Sequence, residues 1–136
     1  MKLTVIGCGD AFGSGGRLNT CFYIKAEKNG VLIDCGATSL SGLKLRGIEV
    51  DDIDTVVLSH FHGDHYGGVP FLLLDAMSTR RTKKISIISP PGGKEKVGAL
   101  LDLLYPGTVV LPKLNVEFIE YRSSEELRRE DLSLIA

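Results

Sequence analysis

Two short runs, TVVLS at 55–59 and ISIIS at 85–89, are apolar and β-branched over nearly their whole length and too short for helices. Each reads as a strand buried on both faces, and such a strand needs a covering layer on either side of its sheet. The segments between and around them supply helices. SLSGLKLRG at 39–47 offers Ser39 as a cap, Gly47 as a terminator, and Leu40, Leu43 and Leu45 as an apolar face. VPFLLLDAM at 69–77 carries Pro70 in its first turn, and GGKEKVGALLDLLYPG at 92–107 runs to Pro106. LNVEFIEY at 114–121 alternates as a strand does, and KLTVIG at 2–7 is a strand that stops in the glycine-rich loop GCGDAFGSGG. In TCFYIKAEKNGVLIDCG, Asn29-Gly30 predicts a two-residue hairpin turn that pairs 20–26 with 31–35 and leaves Asp34 at a strand's carboxyl end. Strands alternating with helices predict an α/β fold with a mixed sheet.

At 136 residues and 43% hydrophobic, the chain matches one domain with a real core, and neither repeats nor linkers divide it. A net charge of -1 gives no general attraction to nucleic acid or anionic lipid. The one basic cluster, STRRTKK at 78–84, reads as solvated charge that complements a helix C-terminus. No apolar run approaches the ~20 residues of a membrane helix. The three cysteines, Cys8, Cys21 and Cys35, are odd in number and widely spaced, and no leader precedes them, so we expect a soluble, reduced, cytoplasmic protein in which each is a small buried hydrophobe.

All three histidines of the chain lie in LSHFHGDHYGGVP at 58–70, where TVVLS ends and the next helix begins. Residues two apart in extended backbone point to one side, so His60 and His62 can face one ion, while Asp64 and His65 are displaced toward a second. Imidazole and carboxylate suit zinc, and also manganese or iron. A structural zinc typically uses cysteines or a closed set of widely separated ligands, whereas adjacent His and Asp on a loop suit an open, reactive site. Gly63 is expected to let the backbone turn between the ligand pairs, and Gly67-Gly68 to leave room for close packing. Asp34, at a strand end, reads as a cap for the turn at Gly36.

HFHGDH at 60–65 matches the His-x-His-x-Asp-His signature of the metallo-β-lactamase superfamily, and VLIDCG at 31–36 looks like the strand that precedes it there. VIGCGDAFGSGGRLNTCFYI, Gly47-Ile48 and VVLSHFHGDHYGGVP resemble the ribonuclease Z-like phosphodiesterase branch. The resemblance implies an αββα sandwich with two divalent metal ions, zinc in the first instance and manganese or iron as variants. His60 and His62 would hold one ion, Asp64 and His65 the other, and Asp34 would hydrogen-bond a ligand histidine. A metal-bound hydroxide would attack phosphorus or a carbonyl carbon, with Asp64 orienting the attacking water.

The family carries three further ligands downstream, a histidine, an aspartate and a histidine, yet no histidine follows His65 here. Residues 1–136 are therefore expected to be the N-terminal half of such a domain, with an incomplete ligand set. The expected function is metal-dependent hydrolysis of a phosphodiester or ester, RNA included; the alternative is a catalytically incomplete half-domain that acts as a binding or assembly module. With little left to form a second sheet, one face of the first should be uncovered and the LSLIA strand at 132–136 should offer a free edge, which predicts a homodimer or other self-association. GCGDAF at 7–12 lacks the third glycine of a dinucleotide loop and is expected to line the cleft instead. No role follows for Asp10.

Overall fold

A computed structural model describes residues 1–129 and 132–135, with Arg129 as backbone only. Six strands form one sheet in sequential order: β1 (Lys2–Gly7), β2 (Cys21–Lys25), β3 (Gly30–Ile33), β4 (Thr55–Val57), β5 (Ile85–Ser89) and β6 (Val116–Glu120). The first three pair antiparallel and β3 to β6 parallel, which makes the sheet mixed. The parallel connections run through α1 (Ser39–Lys44), then α2 (Gly63–Tyr66) with α3 (Val69–Ser78), then α4 (Gly93–Leu104). Right-handed crossovers that always step in one direction put their helices on one face. Tyr23, Leu32, Val56 and Ile87 of the sheet accordingly form one cluster with Leu43, Leu72, Leu73, Val97 and Leu101 of the helices.

The alternate residues face the other way. Val31, Val57 and Ile88 pack there with Leu127, Leu132 and Leu134 of a separate hairpin, β7 (Glu126–Arg129) paired antiparallel with β8 (Leu132–Ile135). The expected uncovered face is thus half right. The hairpin covers the middle of the sheet, while Leu3 and Val5 of β1 stay 60% and 46% exposed. The expected free edge of LSLI is present on one side only: β7 pairs along the other, and among the described residues no strand pairs with the outer edge of β8; Ala136 lies outside the described residues. ELRR carries three charges in four residues and so hid its strand from the apolar pattern.

Other expectations are corrected. Asn29-Gly30 makes no two-residue turn: neither residue has positive φ, and Gly30 already pairs with Lys25. Glycine is required at 30 because a Cβ there would lie 1.7 Å from the Asp52 carbonyl. Helix α1 is capped at Thr38, whose hydroxyl serves Asn19, with Ser39 its first residue and Leu45 81% exposed. Within the basic cluster Arg81 is buried, its guanidinium donating to the carbonyls of Val50, Ile53 (2.8 Å), Lys83 (3.1 Å) and Lys84 (3.1 Å). It ties the turn before β4 to the start of β5.

Cys21 and Cys35 are buried, and burial pushes the Cys21 thiol up to about 11 and Cys35 higher than its usual value. Cys8, by contrast, is exposed on the glycine-rich loop. At about pH 8 an aromatic disulfide reagent should label one thiol per native chain quickly and three after denaturation, read by absorbance; three fast thiols would contradict the packing. Arg81→Ala should lower the unfolding free energy by about 2–3 kcal/mol in urea titration, because buried carbonyls lose their donors, against about 0.5 kcal/mol or less for Lys83→Ala.

Candidate functional site

In parallel sheets with helical crossovers, sites form outside the carboxyl ends of the strands. Here Asp34 follows β3, and the loop carrying Ser59 to His65 follows β4. Asp34 takes a left-handed backbone conformation, φ 58°, which Asp tolerates better than most residues. Its amide donates to the Val57 carbonyl at 2.8 Å, Cys35 N–H to the His65 carbonyl at 2.6 Å, and Gly68 N–H to the Cys35 carbonyl at 2.8 Å. Two loops are thereby sewn together at backbone contact. Glycine is needed on both sides: a Cβ on Gly36 would lie 2.0 Å from the Asp64 carbonyl, and one on Gly68 would lie 2.0 Å from the Gly36 carbonyl. Gly63, expected to permit a sharp turn, starts α2 in ordinary backbone with open space around it.

Buried at this corner, the Asp34 carboxylate is satisfied on both oxygens. Oδ1 accepts from Ser59 N–H at 2.8 Å and lies 2.9 Å from Ser59 Oγ; Oδ2 lies 2.7 Å from His65 Nδ1 and 2.8 Å from Ser59 Oγ. Of its two sequence readings, the side chain takes the histidine partner and not the turn at Gly36. Tyr121, just past β6, donates its hydroxyl to the carbonyls of Ser59 (2.8 Å) and Leu58 (3.1 Å). Burial, and then the Asp34 charge, raise the Tyr121 hydroxyl's pKa, which keeps it a donor.

The histidines converge. Ring centroids of His60 and His62 are 4.6 Å apart and those of His60 and His65 4.1 Å, and His65 Nε2 lies 3.3 Å from Asp64 Oδ2. With His65 Nδ1 engaged by Asp34, its Nε2 faces the cluster beside Asp64. Three imidazoles and a carboxylate form a donor set suited to divalent transition metals, with Asp34 in the place of the outer partner such ligands use. Among the described residues, no three His, Cys, Asp or Glu side chains stand ready to enclose one ion. His60 is the ring that approaches both of the others.

The glycine-rich loop adjoins this corner. Asn19 exchanges hydrogen bonds with Thr38, donates Nδ2–H to the Asp10 carbonyl at 2.9 Å, and sits against Gly36. Asp10 has a role after all: Oδ1 accepts from Phe12 N–H (3.0 Å) and Ser14 N–H (3.1 Å), shaping the turn, and hydrogen bonds from the Ser14 hydroxyl first and then from the backbone lower its pKa. Phe12 stands 91% exposed on that turn. Sequence reasoning missed Ser59 and Tyr121. A serine immediately before the first histidine, and a tyrosine at the carboxyl end of a parallel strand, were the available signals.

Residues 1–100 match the family described as anti-Pycsar protein Apyc1. The chain belongs to that family. It is similar to ribonuclease Z of Clostridium kluyveri, 30% identical over 93% of this chain and 40% of the relative. The Clostridium perfringens ribonuclease Z is 28% identical over 96% of this chain and 43% of its own length. The chain thus spans about two fifths of these relatives, on their N-terminal side. Human tRNase Z, short form, superposes with a TM-score of 0.70 at 24% identity, covering 90% of this chain and 46% of that one. The metallo-β-lactamase fold protein YhfI from Bacillus subtilis gives 0.72 at 20%, covering 96% and 49%. The fold is that of the metallo-β-lactamases, and the curated relatives it resembles here are ribonucleases Z.

Gly36→Ala should push the Asp64 carbonyl away and lower stability by about 2–4 kcal/mol. Amide exchange should rise around 59–68 while α4 stays protected; unchanged protection in that loop would contradict the close approach.

Proposed function

We propose that this chain carries the first ligand pairs of a divalent-metal hydrolase site acting on phosphodiesters, RNA phosphodiesters among them. The observation that supports it most is the convergence of His60, His62, His65 and Asp64 outside β4, with Asp34 bonded to His65. In this reading His60 and His62 bind one ion, and Asp64 and His65 the other, with zinc first and manganese or iron as variants. Bound metal supplies charge stabilisation and an activated water at the reacting phosphorus. Asp64 would orient that water; His65 is held in place by Asp34, and the Ser59 backbone by Tyr121. The two ribonuclease Z relatives support an RNA-type substrate by their names. Three free cysteines support a cytoplasmic setting, and no helix among the described residues is long and apolar enough to cross a membrane.

On this reading residues 1–136 are the N-terminal half of one domain, and catalysis draws on ligands from beyond them. In the complete enzyme His62→Ala should reduce hydrolysis of an aryl phosphodiester by at least about a thousandfold with little change in melting temperature, since open catalytic sites contribute less to folding than closed structural ones. Wild-type turnover in that variant would remove the assignment. The 136-residue chain alone should bind metal substoichiometrically by elemental analysis.

A second reading, a binding or assembly module, draws on Leu3 and Val5, which leave the β1 side of the sheet apolar and open. We propose that the isolated chain self-associates through that face. Light scattering should report a dimer or larger, and Val5→Lys should return a monomer; a wild-type monomer would refute the association.

A further inference from the structure

We infer that Ser59 is a positioning residue that extends the reach of Asp34 from one histidine to two, presenting the Nε2 atoms of both His60 and His65 as metal ligands. This deepens the metal reading above and rests on it for its consequence. The geometry is a three-member relay. Ser59 Oγ lies 2.9 and 2.8 Å from the two Asp34 oxygens and 3.0 Å from His60 Nδ1.

Proton counting assigns the direction of each bond. As a carboxylate, Asp34 only accepts, so the single hydroxyl proton of Ser59 is committed to it. Ser59 Oγ then has only lone pairs to offer His60 Nδ1, and a 3.0 Å contact with a lone pair requires Nδ1–H. Neutral His60 therefore carries its proton on Nδ1 and its free lone pair on Nε2. His65 is set in the same way without an intermediary, since its Nδ1 lies 2.7 Å from Asp34 Oδ2. One buried carboxylate selects the same tautomer in two rings whose centroids are 4.1 Å apart.

Ser59 is fixed for this task at three points. Its amide donates to Asp34 Oδ1, its carbonyl accepts from Tyr121, and its hydroxyl bridges. An ordinary surface serine would have a free rotor. Alanine at 59 would keep the backbone bonds and remove only the relay, after which His60 is free to take the Nε2–H form that unconstrained neutral imidazoles favour. Threonine would keep it.

The tautomers are read by long-range nitrogen–proton NMR of the full chain labelled with 15N-histidine, metal-free, at about pH 8. The expected wild-type spectrum has His60 and His65 both as Nδ1–H. Ser59→Ala should convert His60 to mainly Nε2–H and leave His65 as Nδ1–H, while Ser59→Thr restores the wild-type pattern. A wild-type His60 in the Nε2–H form overturns the relay by itself, whether or not the alanine variant folds, and so does a His60 unmoved by Ser59→Ala. In parallel, Zn2+ is titrated calorimetrically, and Ser59→Ala should weaken its binding about tenfold. Equal affinity in the two proteins would overturn the consequence for loading. Failure of Zn2+ to bind the wild-type chain, with the tautomer pattern as expected, would overturn the metal reading and leave the relay standing.

Discussion

The corner at Asp34 is the interaction on which the site depends. A buried carboxylate is stable only when its oxygens are satisfied, and the partners here come from the loop after the neighbouring strand: Ser59 and His65. The same few residues join the β3 and β4 ends by backbone bonds, and glycine at 36 and 68 lets the two loops meet without side chains between them. The cost of a left-handed aspartate, of order 1 kcal/mol, is offset by these bonds. What results is a cluster of imidazoles whose positions are set by the sheet and not by the flexibility of a loop.

Much of this was legible in the chain. TVVLS and ISIIS are central strands because apolar β-branched runs have no other stable place, and the histidine loop begins where the first of them ends. The hairpin of β2 and β3 was found for the wrong reason, since Asn29-Gly30 mimics a turn signal while Gly30 is in fact demanded by contact with Asp52, a residue distant in sequence. ELRR was missed because its charges mask a strand, and Arg81 was misread because burial of a guanidinium depends on carbonyls from other segments. Ser59 and Tyr121 escaped for the same reason: their roles exist only once three strand ends share an edge.

The sheet's two faces differ in how completely they are covered. Helices seal one, whereas on the other the β7–β8 hairpin reaches Val31, Val57 and Ile88 and stops short of β1. At the strand ends, no three donor side chains among the described residues close around an ion. The chain spans about two fifths of the ribonuclease Z relatives it matches.

The central claim is that the end of β4 presents a metal-binding face aimed by Asp34. Anomalous diffraction from crystals of the chain soaked in Zn2+ or Mn2+ tests it most directly. The account predicts a peak within about 2.0–2.2 Å of Nε2 of His60 or His65, with their Nδ1 atoms still turned toward Ser59 and Asp34. A peak ligated through Nδ1, or metal bound only away from these histidines, would contradict it.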